Sequence, residues 1–96
     1  MKMLFIFCTS SAVVRVRELI EAHDAHGFTE IPEVRGSGET GRRLGSRAYP
    51  GASSIVITAA PEPKAIELIE ALARLSETCC PDEGIRVYQI GAERAL

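Results

Sequence analysis

Residues 36–51, GSGETGRRLGSRAYPG, hold five of the chain's eight glycines, and Arg35, Arg42, Arg43 and Arg47 stand within or beside them against the single acid Glu39. Segment 35–47 therefore carries +3 in a chain whose net charge is −2, which leaves −5 elsewhere. Successive glycines expose backbone N–H groups that can wrap an anion, and guanidinium groups add charge-assisted donors of fixed geometry. The chemistry within reach is binding of a small anion or an acidic surface, with a plain solvated loop as the alternative. Two formal nucleotide motifs fall in the same stretch. GSGETG spells G-x-G-x-x-G, but that fingerprint needs a helix opening at its third glycine, and Gly45, Pro50 and Gly51 leave no room for one. Residues 36–41 followed by Arg42 also resemble a phosphate loop, which requires Lys and then Ser or Thr where this chain has Arg42 and Arg43.

Other residues with chemical potential are few. His23 and His26 are three apart at an expected helix end with no third metal ligand near in sequence, so they are read as cations beside the helix C-terminus and no metal site is expected. Cys8 falls in an apolar run and reads as a small buried hydrophobe. Cys79 and Cys80 fall in an expected turn. Adjacent cysteines rarely close a relaxed disulfide, so they are inert turn residues or a candidate redox or metal pair.

These residues must be positioned by a small fold. Lys2 to Thr9 is apolar on both alternating faces, Met3, Phe5 and Phe7 on one and Leu4, Ile6 and Cys8 on the other, and reads as a strand covered on both sides. Thr9, Ser10 and Ser11 are cap formers, and Val13, Val16, Leu19, Ile20 and His23 recur at helical spacing, predicting a helix over roughly 12–25 with Gly27 as its stop. Residues 28–35 read as a strand with Phe28, Glu30, Pro32 and Val34 on one face and Thr29, Ile31, Glu33 and Arg35 on the other; Pro32, lacking an N–H, assigns it to a sheet edge. Residues 54–59 read as a central strand. Pro61 and Pro63 suit a helix's first turn, after which Ile66, Ile69, Leu72 and Leu75 form the expected buried face and Glu67, Glu70 and Arg74 the wet one, with Glu70 and Arg74 as an i,i+4 pair. Residues 77–84 are expected to be a turn, and 85–90 the last strand.

The order βαββαβ on 96 residues predicts an α+β fold of the ferredoxin-like kind, a four-stranded antiparallel sheet with both helices on one face. A chain this short buries a modest core, and two helices cover one sheet face only. The apolar second face predicts an oligomer, with a trimer as the compact arrangement. The apolar N-terminal run is too short to span a membrane and no signal-peptide cleavage site follows it, so a cytoplasmic location is expected. A pI near 5.7 argues against general nucleic-acid binding.

Three stretches, GFTEIPEVRGSG, SSIVITAAPEPKAIELIEAL and CCPDEGIRVYQI, resemble in order and spacing the second strand, the third strand with second helix, and the B-loop with fourth strand of the PII-like superfamily of signalling proteins. The resemblance covers nearly the whole chain. It implies a homotrimer that binds a small anionic effector, an adenine nucleotide or bicarbonate, in clefts between subunits, with no tightly bound cofactor. It also implies that a T-loop, about 37–52, then docks on a target protein such as a membrane transporter or an enzyme, while the B-loop occupies about 77–84. By position, Gly36, Ser37 and Gly38 would offer N–H groups at the T-loop base. Thr29 would sit near the base-binding wall with Thr58 across the sheet, and Glu83, Gly84 and Arg86 would belong to the B-loop. This chain departs from the standard pattern in having a T-loop of about a dozen residues, Ile85 where a phosphate-binding Lys is usual, and no basic C-terminal residue except Arg94. Arg42, Arg43 or Arg47 would have to replace the missing charge.

A divalent-ion-tolerance protein of the CutA type is the nearest rival, sharing the fold and a Cys-Thr similar to Cys8-Thr9 at the end of its first strand. A redox- or metal-responsive trimer acting through Cys79 and Cys80 is a further alternative. Acylphosphatases share βαββαβ and use an Arg with an Asn, but this chain contains no Asn. No Ser-His-Asp order or paired-carboxylate pattern is present either, so no enzymatic function and no catalytic residue are expected.

Overall fold

The computed structural model describes residues 1–23, 25, 27–34, 37–38, 41–42, 53–79 and 84–96, with the backbone alone at 37, 38, 41, 42 and 79. Its elements run β1 (Lys2–Thr9), α1 (Val13–Ala22), β2 (Thr29–Val34), β3 (Ser37–Gly38), β4 (Gly41–Arg42), β5 (Ser53–Ala60), α2 (Glu62–Cys79) and β6 (Arg86–Gly91). Four strands form an antiparallel sheet in the order β2-β5-β1-β6, and β3 with β4 makes a separate two-stranded ladder inserted between β2 and β5. The expected ferredoxin-like βαββαβ arrangement is the one observed. Proline-bearing β2 lies at an edge, as a strand with a missing donor should.

Strand alternation divides the sheet into two faces. Leu4, Ile6 and Cys8 of β1 and Val56 and Ala60 of β5 are buried together with Val13, Val16 and Ile20 of α1 and Ala65, Leu68 and Leu72 of α2, so both helices cover this one face. On the other face the register aligns Met3 with Ala59 and Ile90, Phe5 with Ile57 and Tyr88, and Phe7 with Ile55 and Arg86. Thr29 and Ile31 extend that face onto β2 through Ile57 and Ile55. Phe7, Ile31, Tyr88 and Ile90 are exposed there, and the rings of Phe7 and Tyr88 meet edge to face at 5.8 Å.

The helices differ from the sequence expectation in five details. α1 spans 13–22 and no side chain caps it; the Ala12 N–H instead closes a turn on the Thr9 carbonyl at 3.0 Å, while the Thr9 and Ser11 hydroxyls pair with each other at 3.1 Å. It ends before Gly27: the His23 N–H and its ring Nδ1 both donate to the Leu19 carbonyl, at 3.1 and 3.0 Å, and the Ala25 N–H then reaches the Ile20 carbonyl at 3.4 Å in place of the next α-helical bond. Of the expected face of α2, Leu72 is buried and Ile69 and Leu75 pack against the core, but Ile66 is 51 % exposed and Ala65 and Leu68 are fully buried, so the core-facing arc is turned toward Ala65 and Leu68. α2 also continues to Cys79 through 77–79, where the sequence pattern predicts a turn; Thr78 Oγ1 donates to the Arg74 carbonyl at 3.0 Å within that last turn of helix. Among the described residues of α2 the ion pair is Lys64–Glu67 at 3.9 Å rather than Glu70–Arg74. At that length on a wet face it contributes little to stability.

β2 breaks the alternation expected for it. Thr29, Glu30 and Ile31 oppose Ile57, Val56 and Ile55, but Val34 then opposes Ser53, so three steps on β2 match two on β5. The extra residue is a β-bulge, and Glu33 within it has φ +56. Val34 consequently shares the face of Ile31 instead of that of Glu30.

Candidate functional site

The register brings four chain segments to one end of the sheet. β1 finishes there at Thr9 opposite Ser53, the first residue of β5, and β2 finishes there at Val34, also opposite Ser53. β6 starts at the same end, with Arg86 opposite Phe7. The glycine- and arginine-rich segment that follows Val34 and the Gly84 segment that precedes β6 are therefore attached at the same end of the sheet as the Thr9–Ala12 turn, at its two opposite edges. Glycine is suited to its place at 84, where φ is +74. Within the rich segment, Ser37 pairs with Arg42 and Gly38 with Gly41 in the β3–β4 hairpin. The hydroxyls of Thr9 and Ser11 join this end; the run Thr9-Ser10-Ser11 signals them in the sequence, where it suggests caps only.

Thr29 and Thr58 lie elsewhere. Thr29 is exposed on the open face, opposite Ile57, five residues back from Val34. Thr58 is buried on the helix-covered face, where its Oγ1 donates to the Gly27 carbonyl at 2.6 Å. The two threonines thus point to opposite sides of the sheet, and the Thr58 hydroxyl is engaged in fixing the chain as it enters β2, where Gly27 takes φ +131. Arg86 is exposed on the open face at the β6 edge, whereas Thr29 sits at the β2 edge. With strands about 4.8 Å apart, the outer strands of a four-stranded sheet are roughly 14 Å from each other. A single chain cannot close Thr29 and Arg86 on one small anion.

Gly36, Arg43, Arg47, Cys80 and Glu83 lie outside the described residues, and Cys79 is placed as the last residue of α2. Cys8 is 2 % exposed in the core, and burial, seconded by the negative charge of Glu30, pushes its thiol up to about 11. It is a packed, protonated side chain without nucleophilic character. Sequence patterning gives no sign of the Arg17–Glu30 ion pair, 2.6 Å long, which fastens α1 to the first half of β2. Among the described residues no group of three or more His, Cys, Asp or Glu side chains is arranged to hold a metal ion, and no helix is long and apolar enough to cross a membrane.

The candidate site is thus one end of a ferredoxin-like sheet, to which the glycine- and arginine-rich insertion between the second and third long strands and the segment before the last strand are both attached, beside an open apolar sheet face. This architecture has close counterparts among solved structures. The nitrogen regulatory PII-like protein CPII of Thiomonas intermedia K12, bound to ADP, AMP and bicarbonate, superposes with a TM-score of 0.73 at 22 % identity over 97 % of this chain and 88 % of that one. The same protein bound to ADP, AMP and acetate gives 0.68 at 20 % identity over 97 % and 88 %. A PII-like protein of Thermus thermophilus gives 0.65 at 25 % identity over 93 % and 82 %. No protein-family model and no curated protein matches the sequence. The chain has the fold of the PII-like proteins, as the resemblance of its sequence implies.

Proposed function

We propose that this chain is a PII-like regulatory protein that binds a small anionic effector, an adenine nucleotide or a bicarbonate-like ion, in clefts between the subunits of a homotrimer, and that signals through its T-loop to a target protein in the cytoplasm. The observation that carries the reading is the likeness, over 97 % of the chain, to a structure holding ADP, AMP and bicarbonate. Two features of this chain support it. The T-loop of this reading, about 37–52, and the B-loop segment that ends at Gly84 leave the same end of the sheet, so N–H groups and arginines from both have a common place to meet a ligand. Thr29 and Arg86, too far apart to act together within one chain, come together only if the partner copy contributes one of them. The exposed apolar face carrying Phe7, Ile31, Tyr88 and Ile90 supplies the surface on which such copies would assemble.

In this reading the protein is a sensor and not an enzyme. An effector seated against the backbone N–H groups of Gly36, Ser37 and Gly38 and the side chains of Arg42, Arg43 or Arg47 orders the loop, and the ordered loop presents or hides a docking surface. With 77–79 held in α2, the B-loop contribution reduces to the residues from 80 to Gly84, including Glu83, followed by Arg86. Calorimetric titration with ATP, ADP, AMP, cyclic AMP and bicarbonate, on the wild type and on an Arg42→Ala, Arg43→Ala variant, tests the proposal. Saturable binding of one nucleotide, weakened at least ten-fold in the variant, is expected. No binding across the panel would overturn it.

A further inference from the structure

We infer that the bulge at Pro32–Glu33 is a positioning device that sets the aim of the Ser37–Arg42 hairpin and that the sheet itself does not require. The ladder between β2 and β5 is regular from Thr29 to Ile31 and is regular again at Val34 opposite Ser53. If residue 33 were absent, residues 29, 30, 31, 32 and 34 would face 57, 56, 55, 54 and 53 without a break. The sheet therefore closes as well with one residue fewer. Moreover, the extra residue is held in an unfavourable way. Glu33 is the one non-glycine residue among those described with positive φ, at +56, a conformation that disfavours an ordinary side chain about ten-fold. Its neighbour Pro32 has no N–H for a ladder, which suits a bulge and little else in a strand.

What the bulge changes is direction. A bulge bends its strand and increases the local twist, and this one falls at the last turn of the pleat before the hairpin begins. Upstream, the strand is fastened: Glu30 to Arg17 at 2.6 Å, and the preceding Gly27 carbonyl to Thr58 Oγ1 at 2.6 Å. With that half tied to the helices and to β5, the bend acts on the hairpin downstream. Val34 itself stays opposite Ser53 on the open face, so the chain leaves the sheet from the side that carries Ile31 and Ile55.

The test is deletion of Glu33, made alone and together with Pro32→Thr, which restores an N–H to the regularised ladder. At least one of the two variants is expected to keep the cooperative thermal transition of the parent. In that variant amide hydrogen exchange at 37, 38, 41 and 42 should change by about ten-fold or more while β1 and β5 amides stay within two-fold. Failure of both variants to fold would overturn the inference by making the bulge part of the fold. Unchanged exchange in the hairpin would overturn it by showing that the bulge positions nothing. The consequence for binding rests on the proposed effector function: ADP, titrated in bicarbonate buffer, should bind the deletion variant at least ten-fold more weakly than the wild type. A wild type that binds no ADP would count against that function alone, with the exchange data still deciding the role of the bulge.

Discussion

Cys8→Ala isolates a pH dependence that the fold builds into its core. The Cys8 thiol, packed under both helices, is raised from its ordinary 9.0 to about 11, first by burial and second by the nearby charge of Glu30. A group that stays protonated when folded but ionises near pH 9 when unfolded pulls the equilibrium toward the unfolded chain as pH rises. Its stabilising contribution is complete below pH 9 and is lost as pH climbs through about 11. At pH 10 the unfolded thiol is about ten times more stabilised by ionisation than the folded one, a loss of about 1.4 kcal/mol, and the loss approaches about 2.7 kcal/mol at still higher pH. Urea unfolding of wild type and Cys8→Ala at pH 7.5 and pH 10, in reductant and at one protein concentration, reads this directly. The variant starts lower at pH 7.5, by about 1–2 kcal/mol for the cavity it opens. Its further loss on going to pH 10 should be smaller than the wild type's by about 1.4 kcal/mol, since the two proteins differ only at residue 8. Equal losses in the two proteins would refute the reasoning and mean that Cys8 ionises in the folded chain as readily as in water.

Thr58→Val should cost about 1–3 kcal/mol by leaving the Gly27 carbonyl without its donor, yet leave the affinity for any effector within two-fold; a large loss of affinity in a stable variant would place Thr58 in the ligand site instead. Tyr88 is 57 % exposed in the single chain, so Tyr88→Glu should cost a monomer little and break an assembly built on the open sheet face. Sedimentation equilibrium should give a trimer for the wild type and a monomer for the variant, and a wild type that sediments as a monomer would remove the trimer from the proposed function.

The sheet and its order are readable because β1 and β5 are apolar on both alternating faces, which fits central strands, and because Pro32 marks an edge. α2 is harder to orient. Ala65, Ile66, Leu68, Ile69, Ala71, Leu72, Ala73 and Leu75 spread apolar character over a wide arc, so periodicity predicts a helix without saying which third of it faces the sheet; packing chooses the small Ala65 over the larger Ile66. The bulge in β2 is invisible because Glu33 adopts a left-handed conformation that a sequence ordinarily announces with glycine. The glycine- and arginine-rich segment stands out by composition, but its attachment at the same end of the sheet as the Gly84 segment follows from strand register, which no local pattern encodes. Thr58 shows the opposite limit: a threonine in a strand signals a polar side chain, and only the fold shows that its partner is the carbonyl of Gly27.

The placement of β1 has a consequence for how this chain comes to be folded. Met3 to Cys8 pair on one side with Ser54–Ala59, and Met3 to Phe7 on the other with Arg86–Ile90, both of which follow them in the chain. Neither neighbour is adjacent in sequence, so the loops that must close before the central strand gains a single ladder bond are long, and contact order is high for so small a domain. A nascent chain therefore carries its most apolar strand unpaired until β5 has been made, and half-paired until β6 follows. Truncation before β6 would leave β1 with an open edge, converting the centre of the sheet into a template for aggregation.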